Sequence, residues 1–575
     1  MSFLTFCLAT FGANNVCGMR VLLLLLALAV PDAGGVEGIL LITGASAVED
    51  LDESVMERFE SYRTHPLPVN CCTGSRLLSC GLFSGYQVAS LLDYRARNGD
   101  VLSYTELAAV DGFGERYVAA LKEFITLEGG EMNGGRSGNS RRRFSQSLML
   151  RAAARAPDGE AEWCGGVKCQ ARWGDFLEFN WADRTTYTLP QFGAGNMNLA
   201  VYGRRVLGKL VLGDFNARFG QGLLVWNGFS MSGVPSPSAL MRSGTGLSPS
   251  KSFSEGFHGV AVDFNAGKYM FSAAYDRSNV AMANVSRVGG TWQFGVTALY
   301  DGRKDPGPGL GRVGVSVDSR VGFKGGAVFG EAALDGNALA AVLGAFVVPS
   351  YGSMLSVAVR AYPKTYPGTM AGALRSASKV SDEYGASAGW QNGWGMLTLD
   401  AAWHPSKNTQ AYKATAQLKK DFPLGSVTLT PVLRVAERCS LKPSEGGNFV
   451  SDWRNDLRTE LDMAAGSWLA NVRYNIVHSA EWGWLAYAEA GYRREYAERN
   501  RVTAWLRGEL FAIDSWDDRI YVYERDAPGN FNVPAYYGRG WNLSLVVSWK
   551  FWKNTVNLRL STYRKEVKLQ YSLVL

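Results

Sequence analysis

The sequence predicts a mainly β chain, a large antiparallel transmembrane β-barrel of about 20–24 strands, an even-numbered range such barrels occupy, with a small all-α module ahead of it. Three observations predict this. Runs of about ten residues, the length of a tilted membrane-crossing strand, alternate between apolar and polar side chains. The 575 residues hold 66 Gly and 12% aromatics but only 19% charged residues. Mean hydropathy is only -0.08, far below that of a helical membrane protein, and the aromatic content excludes a disordered chain.

The first element is a leader. Val21–Val30 (VLLLLLALAV) follows Arg20 and precedes Pro31-Asp32-Ala33. A cation, a short apolar core and small residues predict a signal peptide over residues 1–33, too short for a comfortable transmembrane helix. Met19, just before Arg20, is the expected start of translation.

Residues 37–128 predict a helical module. Val55, Phe59 and Tyr62 recur at spacings of three and four. Two similar units follow, Leu77 to Arg95 and Leu107 to Leu121, each reading as helix, glycine-bearing turn, helix. Gly99 stops the helix between them, and Ser103 with Glu106 predicts a capping box. Gly112-Phe113-Gly114 allows a sharp turn from which Phe113 folds back between helices, with the following amides placed to face a phosphate. This resembles the helix-hairpin-helix motif, in tandem as in competence-type DNA-binding proteins. Val69-Asn70-Cys71-Cys72-Thr73 is similar to that family's lead-in, while the first hairpin, Gly81-Leu82-Phe83-Ser84-Gly85, is degenerate. The resemblance implies nucleic-acid contact through Gly112, Phe113, Gly114, Arg116, Lys122, Arg95 and Arg97. Charge argues the other way. The module has seven basic and 14 acidic residues, and Asp111 stands where the motif usually has Pro. Phosphate neutralisation, the main source of nonspecific affinity, starts at a disadvantage here.

Residues 129–143 hold two Gly-Gly pairs and Arg141-Arg142-Arg143, a flexible basic linker. From 144 to 575 the period is two. Trp541, Leu543, Leu545, Val547 and Trp549 alternate with Asn542, Ser544, Val546 and Ser548. Trp468, Ala470, Val472, Tyr474 and Ile476 alternate with Leu469, Asn471, Arg473 and Asn475. Bulky aromatics at run ends suit a membrane interface, and closure pairs the backbone groups that lipid cannot satisfy. Two blocks, Leu212 to Phe229 and Asp518 to Gly540, together with the paired hairpins resemble the helix-hairpin-helix outer-membrane barrel proteins of Bacteroidota. That resemblance implies an outer-membrane address with the module on the periplasmic side. The partners it implies are outer-membrane lipid, with DNA or other envelope proteins as candidates.

Chemistry is sparse. His65, His258, His404 and His478 are scattered without ligand spacing, and no GxSxG occurs. Gly307-Pro308-Gly309-Leu310-Gly311 reads as a loop. Neither metal, small-molecule cofactor nor enzymatic activity is expected. Glu489 and Glu509 are expected to face the barrel interior. Cys164 and Cys169 bracket Gly165-Gly166, so a hairpin disulfide is a candidate, with free thiols the alternative.

The module's net charge is −7, leaving +14 for residues 129–575. Two functions follow. In one, DNA docks at or passes through a positive lumen, taken by the hairpins. In the other, the acidic module is a plug or protein-interaction adaptor at the barrel mouth, where opposite charges favour docking.

Overall fold

A computed structural model describes residues 36–127 and 144–575, apart from 157–158, 204–205, 229–232, 243, 254–255, 288, 290, 304–310, 351, 445–447 and 498–499. The leader, the linker and most of the Gly307–Gly311 stretch lie outside the described residues.

The module contains six α-helices, α1 (Val36–Thr43), α2 (Glu53–Thr64), α3 (Gly74–Ser79), α4 (Gly85–Asn98), α5 (Tyr104–Ala109) and α6 (Glu115–Leu121), and a short 3-10 turn at Val48–Asp50. Short polar residues start four of the helices. Asp52, Thr73 and Ser103 accept from first-turn amides, and Ser84 with Gln87 makes a complete capping box before α4. The box expected at Ser103 is half made, because the Glu106 carboxylate takes the Leu102 amide at 2.7 Å instead. Gly99 (φ 85°) ends α4. Leu67–Pro68 pairs in parallel with Ile125–Thr126 and ties the module's two ends together. Its core joins Phe59, Leu77, Leu91, Leu107, Phe113 and Leu121, with Phe59 edge-on to Phe124 at 5.0 Å.

From Phe144 the chain forms a closed antiparallel barrel of 24 strands. Each strand pairs with the next in sequence. The first (Phe144–Arg155) closes on the last (Glu566–Val574) in register from Ser147↔Val574 to Arg155↔Glu566. The wall is inside-out relative to a soluble sheet. In Tyr269–Asp276, Tyr269, Phe271 and Tyr275 are exposed, while Met270, Ser272, Ala274 and Asp276 are buried. Trp541, Leu543 and Trp549 likewise face outward and Asn542 and Ser544 inward. The outer surface is apolar in the middle (Val317, Leu343, Val357, Leu399), with aromatics at both margins. One rim carries Trp173, Trp292, Trp390 and Trp468; the other carries Tyr300, Tyr384, Trp403 and Trp541. Water would penalise such a surface; a bilayer core with two interfaces matches it.

The two rims differ. The rim that holds both barrel termini has only short turns. The opposite rim has long connections at 219–256, 363–382 and 514–537, and these fold back into the barrel. The Tyr366 hydroxyl donates to the Leu223 carbonyl at 2.7 Å, and the amides of Gln221 and Leu223 both donate to Glu331 of the wall. Leu223, Val225, Tyr366 and Val380 join an internal apolar cluster. The two blocks singled out by resemblance, 212–229 and 518–540, feed two of these inward loops.

The candidate disulfide is not formed. Cys164 and Cys169 are free and sit on one continuous strand, Glu162–Trp173, paired with Ala153 and Leu148. Gly165-Gly166 is no turn. Five extended residues place the two sulfurs on opposite faces, roughly 16 Å apart along the strand, beyond disulfide reach.

Candidate functional site: the seat of the helical module

The module touches inward-facing residues all round the ring, which only a body inside the lumen can do. On one side, His65 Nε2 lies 3.3 Å from Ser147 Oγ and its carbonyl accepts from Arg172 at 2.8 Å. Ser61 bonds Gln170, and Arg184 holds Glu53 at 2.8 Å. Further round, Ser75 Oγ donates to Asp263 at 2.6 Å, and Tyr86 lies under Arg320, 5.3 Å from the ring centroid. On the far side, Lys419 pairs with Glu37 at 2.8 Å, and Arg434 stands 3.6 Å from Asp50.

Charge is matched most closely over the acidic segment 49–57. The Glu49 carboxylate is gripped by Arg458 and Arg473 and accepts from the Tyr523 amide at 3.1 Å. Burial opposes its charge, but the two guanidiniums hold it well below the usual carboxylate range. Glu57 accepts from the Phe253 amide at 3.2 Å and faces Lys168 at 3.6 Å. Here burial outweighs the lysine, and the Glu57 carboxyl is pushed up. The inward loops complete the seat. Ser236 Oγ donates to the Gly44 carbonyl, and Phe531 packs against the module's core.

Loop 514–537 is pinned to the wall by ion pairs. Arg525 meets Glu489 at 2.6 Å, Arg559 meets Glu524, and Lys568 meets Asp526 at 2.9 Å. Glu489 and Glu509 face inward as expected, and Arg507 joins them. The lumen is thus occupied from both ends.

The residues expected to meet nucleic acid are largely committed elsewhere. Phe113 is buried, 5.8 Å from Phe83. Gly112 (φ 86°) and Gly114 (φ 72°) make the turn, and the Gly112 carbonyl accepts from Gln87 at 2.8 Å. Arg95 donates to the carbonyls of Val69, Asn70 and Cys72. Arg97 pairs with Asp93 at 2.7 Å, and Lys122 lies 5.5 Å from the Tyr104 ring. Arg116 is exposed beside exposed Glu115 and Asp111. A cavity of about 1150 Å³ lies between this side of the module, including Tyr86, Arg95 and Arg97, and the rim turns at Lys268 and Trp292. The seat residues Glu49, Ser75, Lys209 and Asp263 had no motif; a strand with a charge on its inner face was the only signal for Lys209 and Asp263, and Glu49 and Ser75 of the module had none.

No family model matches the chain, and no curated protein does. Among solved structures, Pseudomonas aeruginosa OccK8 (OprE) aligns at TM-score 0.29 and 11% identity, over 75% of this chain and 98% of that one. OccK2 (OpdF) of the same organism, in complex with glucuronate, aligns at TM-score 0.30 and 11% identity, over 75% and 96%. Acinetobacter baumannii OccAB3 aligns at TM-score 0.29 and 8% identity, over 75% and 98%.

Proposed function

We propose that this chain is an outer-membrane channel whose lumen is closed by its own amino-terminal helical module. The observation that carries the reading is the placement of Glu49, Asp50, Glu53 and Glu57 on Arg458, Arg473, Arg434, Arg184 and Lys168 of the inner wall. An acidic plug in a basic barrel is held by attraction that can be broken and remade. The apolar exterior with aromatic margins suits a bilayer, and the leader over 1–33 would deliver the chain to it. Short turns mark the periplasmic rim of such barrels and long loops the outer one. The module is joined to the wall at the short-turn rim, so it enters from the periplasm. Other envelope proteins reach it from that side.

The test is conductance in planar bilayers. The full-length protein should be closed or pass small currents, and deletion of residues 37–128 should open a larger, steady channel. Equal conductance of the two proteins overturns the plug.

Nucleic-acid contact is the second reading. It is favoured by one observation, the Gly112–Gly114 turn between two helices, exposed at Gly112. A gel-shift titration of the full-length protein at low salt tests it, with retarded DNA expected and no retardation refuting it.

A further inference from the structure

Between plug and wall lies a second, smaller cavity, of about 50 Å³. Five cations line it. Arg58 and Arg76 come from α2 and α3; Arg172, Arg218 and Lys251 come from the barrel and its inward loop. The lining has one carboxylate, Glu178, which pairs with Lys251 at 2.8 Å and stands 3.6 Å from Arg172. Asp52, the α2 cap, favours the charge of Arg58 and Arg218, but its carboxylate already accepts from Ser54.

Among the described residues no carboxylate stands within ion-pair distance of the other three guanidiniums, although Glu178 attracts Arg76 and Asp52 attracts Arg58 and Arg218 from further off. Arg76 donates to the Asp175 carbonyl at 2.6 Å and lies 4.0 Å from the Tyr202 ring centroid. Arg218 donates to the Asn227 carbonyl at 2.9 Å. The Arg58 Nε is buried with no hydrogen-bond partner among the described residues. Five enclosed cations around a single lining carboxylate are unfavourable unless further negative charge joins them. The volume has room for about four water-sized groups, the size of one tetrahedral ion.

We propose that this cavity binds a free oxyanion of the phosphate or sulfate kind, which bridges the module to the barrel and latches the plug. The site rests on the plug reading, because its cations are divided between the two bodies. Planar guanidiniums present paired N–H groups to such an ion, and Ser248 of the same lining supplies a hydroxyl. Loss of the ion leaves mutually repelling cations on the two sides of the interface, which favours release.

The test uses full-length protein in detergent, at constant ionic strength in chloride, titrated calorimetrically with inorganic phosphate. One saturable site per chain is expected, with sulfate competing. Arg58→Gln and Arg218→Gln should each weaken it by about tenfold or more, about 1.4 kcal/mol, and Arg58→Lys by less. In phosphate-free buffer, Arg58→Gln should hold the plug more firmly than the wild type, and phosphate should add nothing to it. Absence of saturable binding, or binding indifferent to both substitutions, overturns the site. Binding of glycerol phosphate without binding of inorganic phosphate overturns the free ion. A disulfide between Ser75→Cys and Gly208→Cys reports docking separately. If it forms while phosphate does not bind, only the anion site fails; if it does not form, the plug reading fails.

Discussion

Ser75 of the module donates to the Asp263 carboxylate of the barrel wall at 2.6 Å, and Lys209 of the neighbouring strand holds the same oxygen at 2.9 Å. Lys209 and Asp263 are each only 1% exposed, so neither charge has recourse to water. Asp263→Asn should therefore cost about 3–5 kcal/mol, the usual result of orphaning a buried charge. Adding Lys209→Met should recover much of that loss. Urea unfolding in detergent, followed by Trp fluorescence, measures both. Additive costs would mean that the pair is not coupled.

Glu49 is the anchor of the plug's acidic segment with the most partners, since it joins two strands and the inward loop at once. Glu49→Gln should free the module more readily, with faster proteolysis at residues 37–128 and brief openings in bilayers. Glu37→Gln removes only an exposed pair with Lys419, worth about 0–1 kcal/mol, and should change little.

Acid should loosen the plug through His65. Burial, reinforced by Arg172, lowers this imidazole to about 3. The released module would titrate near the ordinary value of about 6.5. Between those values the released form binds a proton that the docked form does not, so docking weakens as pH falls below 6.5, by up to about 1.4 kcal/mol per unit. Glu49 adds to the loss at lower pH, because its carboxyl is held low and its contribution disappears as pH falls through that lowered value. Glu57, pushed up by burial, works in the opposite sense, since protonation relieves its cost. Protease sensitivity of the module from pH 7 to 5 should rise in the wild type and stay flat in His65→Gln.

The two hairpin glycines should not be equivalent. A Cβ at Gly112 would fall 2.8 Å from the Tyr86 ring, whereas one at Gly114 meets nothing within 4 Å. Both have positive φ, so each Ala costs about 1 kcal/mol or more in strain. Gly112→Ala should destabilise the module further than Gly114→Ala, by thermal melting of the full-length protein. Loss of DNA binding in Gly112→Ala would then need a folded control, and Arg116→Ala supplies it.

Much of the wall was legible because a strand's period of two is local. Trp541, Leu543 and Trp549 against Asn542 and Ser544 already state which face meets lipid. The module's helices were legible from caps and spacing, and the opposed charges of the two parts hinted at docking. What sequence could not supply was long-range pairing. Ser75 and Asp263 are 188 residues apart, and neither belongs to a motif. The inward turn of 219–256 and 514–537 depends on contacts such as Arg559 with Glu524, which no local pattern encodes. Gly165-Gly166 misled for the opposite reason. A local turn signal was overridden by strand pairing on both sides, with Ala152↔Gly165 on one and Gly166↔Arg184 on the other.

The most direct measurement of the plug's position is a disulfide across its seat. A Cβ at Gly208 of the wall would lie 3.3 Å from the Ser75 Cβ, close to disulfide spacing. In membranes carrying Ser75→Cys with Gly208→Cys, oxidation should link the two positions nearly completely, seen as the joined peptide by mass spectrometry. Two thiols left free at these positions after oxidation of a folded, heat-resistant barrel would contradict a module seated in the lumen.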